Sequence, residues 1–274
     1  MLPLRRLLLL YVIIYLALCY NKVKDCGERD DTMEILLDTH IHTIASGHAH
    51  STVKEYIDEA IKKGLQLICI TDHAPALPGA PDPLYFYNLK VIPRKVGGLE
   101  ILTGVELNIM DKNGKLDLKP SILKKMDITI ASLHHPCCLP DTKENNTNAV
   151  INTMKNPLVN IVGHLGDPRY EIDIDAVVAV AKETNTIIEL NNTSMNPKST
   201  RAGGEHLLIE LIKKCDEYGV YISLGSDAHI YTDIGNLGNA IKLIKEVGIK
   251  EEIILNTPEK LKFALNKKPK IVQI

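Results

Sequence analysis

The sequence predicts an α/β fold, a parallel barrel assembled from repeated βα units. Three observations carry that expectation. After Met33, short β-rich runs alternate with amphipathic helical patterns, the rhythm of βα units around a parallel sheet. The strand candidates are near-continuous apolar runs, as expected when both faces of a strand are covered. At 274 residues the chain has a length that a single α/β barrel can use in full.

The first strand candidate is Glu34–Asp38, EILLD. A helix comes next from about Val53: Thr52 and Glu55 offer a capping box, Val53, Tyr56, Ile57, Ala60 and Ile61 form one apolar face, and Gly64 ends it. Leu65–Thr71 is the second strand. A proline-rich loop, APALPGAPDP, then leads into an unassigned segment through Tyr85 to Gly98. Further strands are expected at Glu100–Leu107, Asp127–Leu133, Val159–Gly163, Thr186–Leu190 and Val220–Gly225. Helical patterns lie near Thr147–Lys155, Asp175–Glu183, Gly204–Tyr218 and Leu237–Val247.

Composition narrows the partners. The net charge is −2 with no block of like charges, which argues against a nucleic acid held by a basic stripe. Two phenylalanines and no tryptophan leave the core to Ile, Leu, Val and Ala. The six cysteines form no C-x-x-C pair, so a reducing compartment without disulfides is expected. Residues Met1–Thr32 differ in kind: Arg5 and Arg6 precede an apolar run, Leu7–Tyr20, and then a polar stretch. That run suits a signal-peptide core better than a membrane span. It is either an upstream start-site artefact, with Met33 as the true start, or a genuine export or anchor segment. Either way it lies outside the fold, which is assigned to residues 33–274. The expected compartment is the cytoplasm, with export or membrane anchoring as the alternative.

The functional signal sits immediately after the strand candidates. In order come His40 and His42, His73, Glu106, His134, His164, the pair Asn191 and Asn192, and then Asp227 with His229. In a parallel barrel these ends share one face, where the loops build the active site. With His48, seven of the ten histidines and two carboxylates gather there. Imidazole with carboxylate suits Zn, Mn or Fe rather than Ca or Mg. Nine ligand candidates exceed the needs of one four-coordinate ion and point to two or three, with a carboxylate such as Glu106 bridging. Such clusters activate water and clamp the oxygens of an in-line displacement, for which a phosphate ester is the best-matched substrate. No G-x-x-x-x-G-K-[ST] loop and no G-x-S-x-G elbow occur. Hydrolysis by metal-bound hydroxide, without a covalent enzyme intermediate, is the economical expectation.

The motifs DTHIHT with His48 after it, ITDH, GVE, SLHHP, GHLGDP, ELNN and LGSDAH, in that order, resemble the PHP (polymerase and histidinol phosphatase) superfamily. More narrowly, they resemble its small stand-alone bacterial phosphatases. The resemblance runs from about Met33 to near the end of the chain. It implies a distorted (β/α)7 barrel with three zinc ions, Mn or Fe being the other candidates. The first ion would be held by His40, His42, Glu106 and Asp227; Glu106 would bridge to a second held by His134 and His164; His48, His73 and His229 would hold the third.

Other residues are expected in lesser roles. Asn191, Asn192, Arg201 and Arg94 are candidate contacts to a small phosphorylated substrate, guanidinium matching phosphate geometry. Their rival roles are loop support and ordinary surface charge. Asp72 and Asp38 are expected to orient ligands or cap loops, His50 to lie beside the site, His135 to touch substrate or point away, and His206 to be surface. The reading of phosphomonoesterase stands against a histidinol-phosphatase-type enzyme of the same superfamily, an amidohydrolase-type metal hydrolase, and a non-catalytic module of a larger complex. Oligomeric state is left open.

Overall fold

The computed structural model describes residues 33–268, so both readings of the apolar leader fall outside the described residues. Within them no helix is long and apolar enough to cross a membrane. The parallel strands run in the order β1 (Leu37–Ile41), β2 (Leu67–Ile70), β4 (Leu99–Asn108), β5 (Ile128–Ser132), β6 (Ile161–Val162), β7 (Ile187–Asn191), β8 (Ile222–Gly225) and β9 (Ile254–Leu255). Among the described residues only β3 (Lys95–Val96) is antiparallel, a short partner on β4. The sheet curls until its two edges meet. Leu36 N–H donates to Asn256 O at 2.9 Å, and Ile41 bridges in parallel to Ala228. This is the distorted (β/α)7 barrel, with the two-residue β9 as an addition.

Helices return the chain between strands: α1 (Val53–Lys62), α4 (Lys143–Met154), α5 (Ile174–Thr184), α6 (Glu205–Tyr218) and α7 (Gly238–Val247), with short α2 (Pro83–Asn88) and α3 (Pro120–Leu123). The α1 start is the expected one. Thr52 accepts from Glu55 N–H while the Glu55 carboxylate accepts from Thr52 N–H, satisfying two otherwise orphaned donors.

Two apolar layers explain the unbroken hydrophobic runs. Leu67, Cys69, Ile128, Ile130, Ile161 and Ile187 fill one cluster, while their neighbours Ile68 and Ile70 join Tyr56, Ile57 and Ala60 of α1 in another. Successive side chains thus bury on both faces. The expected elements are corrected in several places. The first strand begins three residues later, at Leu37, and continues through His40 to Ile41. The segment left unassigned holds α2 and β3, and beyond Val247 the chain adds β9 and α8 (Pro258–Asn266), whose Leu261 and Ala264 enter the first cluster.

Just past α8, Lys268 is buried, its Nζ donating to Met154 O and Thr186 Oγ1 at 2.7 Å each. Burial lowers its pKa to about 8. Between that value and the unfolded value near ~10.4 the unfolded chain binds more protons, so stability from this group rises with pH and is lost as pH falls through about 8. Lys268→Met is expected to remove that slope. Denaturant unfolding at pH 7 and pH 10 should show a wild-type gain on the order of 2 kcal/mol that the variant lacks.

Candidate metal centre

Strand geometry explains why His40 and His42 share a face: they flank Ile41, and alternate side chains of a strand point the same way. Both are fully buried. Each of four histidines is tethered at Nδ1, which turns Nε2 away from the tether. His40 Nδ1 meets Glu189 Oε1 at 2.6 Å, and His134 Nδ1 meets Asn108 Oδ1 at 2.7 Å. His42 Nδ1 lies 3.3 Å from Ser46 Oγ, whose hydrogen goes to Asp72 at 2.7 Å. His229 Nδ1 donates to the carbonyl of Asp227 at 2.9 Å. Such outer partners fix tautomer and ring orientation in metal sites.

Glu106, 1% exposed, stands at the middle. Its Oε1 lies 3.0 Å from His164 Nε2 and 3.2 Å from His134 Nε2. Its Oε2 lies 2.7 Å from His73 Nδ1, 3.3 Å from His40 Nε2 and 3.5 Å from His42 Nε2. Asp227 Oδ1 approaches His42 Nε2 at 3.2 Å, while Oδ2 accepts from Arg201. His48 completes the group from the exposed side, its ring 5.0 Å from that of His73 and 4.9 Å from that of His229. Three sets place their ligand atoms within 4.8 Å of one another: His42, His73 and His229; His40, His42 and Glu106; His73, Glu106 and His134. His73 therefore stands between the carboxylate and the outer histidines.

The residues present fit divalent ions. His40 Nε2, His42 Nε2, His73 Nδ1 and Glu106 Oε2 are buried without a hydrogen-bond partner, and all four converge on one another. Scattered orphans of that kind are costly; four at one point form a donor set of nitrogen and oxygen suited to zinc, manganese or iron. The electrostatics agree. Burial works to raise the Glu106 and Asp227 carboxyls, yet the facing histidines, and Arg201 for Asp227, hold both well below the usual range. Burial works to lower His40, but Glu189, Glu106 and Asp227 carry it well above the ordinary imidazole value. Burial and the neighbouring His73 push His42 well below it.

Two of the ligand-type residues sit on unusual backbone. His164 (φ 33) and Asp227 (φ 57) occupy left-handed conformations that side chains rarely adopt, and such conformations persist only where surroundings hold them. His164 N–H donates to Glu189 Oε2 at 2.9 Å, and Asp227 N–H donates to His40 O at 2.9 Å. The glycines of GHLGDP and LGSDAH have a related reason. A Cβ on Gly163 would lie 2.3 Å from Ser132 Oγ, and one on Gly225 would lie 2.2 Å from Glu189 Oε1.

Above the cluster opens a cavity of about 620 Å³. Leu77, Pro78, Leu133 and Pro136 form apolar wall; Arg201, Arg169, Asp167 and His135 supply polar groups. Several expected contacts resolve differently. Asn191 is buried beneath, taking Ser194 N–H and Arg201 on its carbonyl oxygen. Asn192 points elsewhere and accepts from Ala240 N–H in α7, so it supports a loop rather than the cavity. Arg94 is not at the site: it pairs with Asp127, which precedes β5, at the opposite end of that strand. His50 and His206 are exposed. Asp38 buckles three segments, accepting N–H groups of His40, Ser226 and Gly235, and burial is the main reason its carboxyl is raised. Asp72 takes Thr43, Ser46 and the Tyr85 hydroxyl. Sequence reasoning missed Glu189, Asn108 and Ser46. For Glu189 the signal was present, an acidic residue inside the apolar run TIIEL.

A parallel barrel that gathers imidazoles and carboxylates at its strand ends under an open cavity defines a metal-dependent hydrolase. The family model of the PHP domain matches residues 38–196. A probable phosphatase of Thermoanaerobacter sp. (strain X514) is 55% identical over 226 residues, 82% of this chain and 91% of that one. A probable phosphatase of Caldanaerobacter subterraneus subsp. tengcongensis is 52% identical over 240 residues, 87% of this chain and 94% of that one. Among solved structures, the histidinol phosphate phosphatase of Lactococcus lactis, complexed with zinc, L-histidinol and phosphate, superimposes with TM-score 0.58 at 21% identity, covering 78% of this chain and 94% of that one. The chain belongs to the PHP domain family. Within that family it is a phosphatase.

Proposed function

We propose that this phosphatase is a phosphomonoesterase for a small phosphorylated metabolite, acting at a trinuclear centre whose first candidate metal is zinc. One observation carries the reading: ligand-type residues from the ends of β1, β2, β5, β6 and β8 surround Glu106 of β4 on the floor of an open cavity that also presents Arg201. The zinc bound by the Lactococcus enzyme supports the metal, since the donor set here is of the kind zinc takes. Divalent ions held there would lower the pKa of bound water toward ~7 and neutralise phosphate oxygens.

The chain's own residues do the rest. Arg201 spends Nε on Ser194 and Nη2 on Asn191 and Asp227, which fixes the guanidinium plane. Its Nη1 faces, among the described residues, no hydrogen-bond partner and can receive a phosphate oxygen. Asp227 neutralises the arginine so that its charge is balanced before substrate arrives. Leu77, Pro78, Leu133 and Pro136 keep the organic part of the ester out of bulk water.

The test is phosphate release from an aryl phosphate by the full chain, before and after chelation and with Zn or Mn added back. Chelation is expected to cut turnover at least ~100-fold and add-back to restore it. Release that is indifferent to chelation, or turnover of amides in place of esters, would sink the reading.

A further inference from the structure

We propose that Glu189 is a positioning residue that sets the tautomer of His40 and ties together two parts of the metal centre; the inference rests on the reading of that centre as divalent-metal binding. Glu189 lies inside β7 and is fully buried. Its two oxygens are shared among three donors: His40 Nδ1 at 2.6 Å on Oε1, and His164 N–H at 2.9 Å with Asn191 Nδ2 at 3.3 Å on Oε2. Asn191 must present its amide nitrogen here, because its oxygen already accepts from Ser194 N–H. Only an acceptor at both oxygens satisfies this surround, and an ionised carboxylate is the one side chain that offers it.

The slot is built for that group. Gly225 and Gly163 flank it, and a Cβ on them would stand 2.2 Å and 3.2 Å from its two oxygens. Receiving a hydrogen at Oε1 keeps a proton on His40 Nδ1, so that Nε2, which faces Glu106 Oε2 at 3.3 Å, is the nitrogen left to offer its lone pair to a cation. Receiving one at Oε2 holds the left-handed backbone of His164, whose ring faces the other oxygen of Glu106 at 3.0 Å. One buried carboxylate therefore braces ligand-type residues on both sides of Glu106.

An amide cannot do this. With its oxygen kept at His164 N–H, Glu189→Gln directs an NH2 group at His40 Nδ1. His40 must then accept there and carry its proton on Nε2, pointing a hydrogen where a cation would bind. Metal affinity, measured by competition with a chromogenic chelator, is expected to fall about 10–100-fold in Glu189→Gln, the usual scale for losing an outer partner. Turnover should recover at saturating zinc. Nitrogen NMR of the metal-free proteins, taken at a pH high enough that His40 carries a single proton, should show that proton on Nδ1 in wild type and on Nε2 in the variant. Glu189→Asp keeps an acceptor-only group with shorter reach, and its affinity should fall between the two. Wild-type affinity with an unmoved proton in Glu189→Gln would overturn the inference alone, as would a Glu189→Asp chain no better than Glu189→Gln. A wild-type chain that takes up no divalent cation would overturn the metal reading and this inference with it.

Discussion

Replacing Glu106 with Gln is expected to lower kcat/KM for phosphate release at least ~1,000-fold, about 4 kcal/mol of transition-state stabilisation, while leaving the barrel folded. The size comes from position. Each Glu106 oxygen serves a different group of imidazoles, Oε1 with His134 and His164 and Oε2 with His73, His40 and His42. An amide keeps the shape but supplies one acceptor and one donor, so it can serve only one side of the cluster. Its NH2 can hydrogen-bond an imidazole lone pair and so occupy the cation position. Bound metal counted by elemental analysis should therefore fall by one ion or more, and the melting temperature in chelator should drop modestly because the attraction between Glu106 and its histidines is lost. Turnover and metal content both at wild-type level would remove Glu106 from its central role.

The barrel was legible in the sequence because its physics is periodic. Runs such as LQLICIT bury on both faces, and helices such as α1 announce themselves by a capping box and an apolar stripe. What escaped was set by tertiary contact. Thr39 and His40 lie past the expected strand end at Asp38, yet they extend β1 because each finds a buried partner, the carbonyl of Leu224 and Glu189 respectively. β9 is two residues long and exists through its pairing with β8, which no local pattern encodes. Site residues divide in the same way. Histidine and carboxylate at successive strand ends are a pattern that spacing reveals. Glu189 and Asn108 act on those residues from within strands, where spacing reveals nothing and only the acidic residue inside the apolar run TIIEL marks Glu189 out. Arg94 shows the converse: its chemistry suits phosphate, but Asp127 takes it at the far end of β5.

Asp227 separates function from backbone. Asp227→Asn and Asp227→Ala are each expected to lose activity about 100- to 1,000-fold, because each removes the carboxylate proposed as an anionic metal ligand and the counter-charge of Arg201. Their stabilities should differ. Asp227 sits at φ 57, a conformation Asn tolerates and Ala enters at a cost of about 1–2 kcal/mol. Both should melt below wild type in chelator, having lost the charge that faces Arg201 and His40, and Asp227→Ala further below by that backbone cost. Acid gives a second discriminant. Burial opposes the Asp227 charge, but Arg201, His40 and the hydrogen bond from His42 outweigh it and hold the carboxyl well below its ordinary range. A group with a depressed folded pKa contributes stability above its unfolded pKa, near ~3.9, and loses it as pH falls further. Metal-free wild type should therefore lose stability on acidification below about pH 4 more steeply than Asp227→Asn does. Parallel slopes in the two proteins, measured by denaturant unfolding from pH 5 downward, would mean that Arg201 and His40 do not hold that charge.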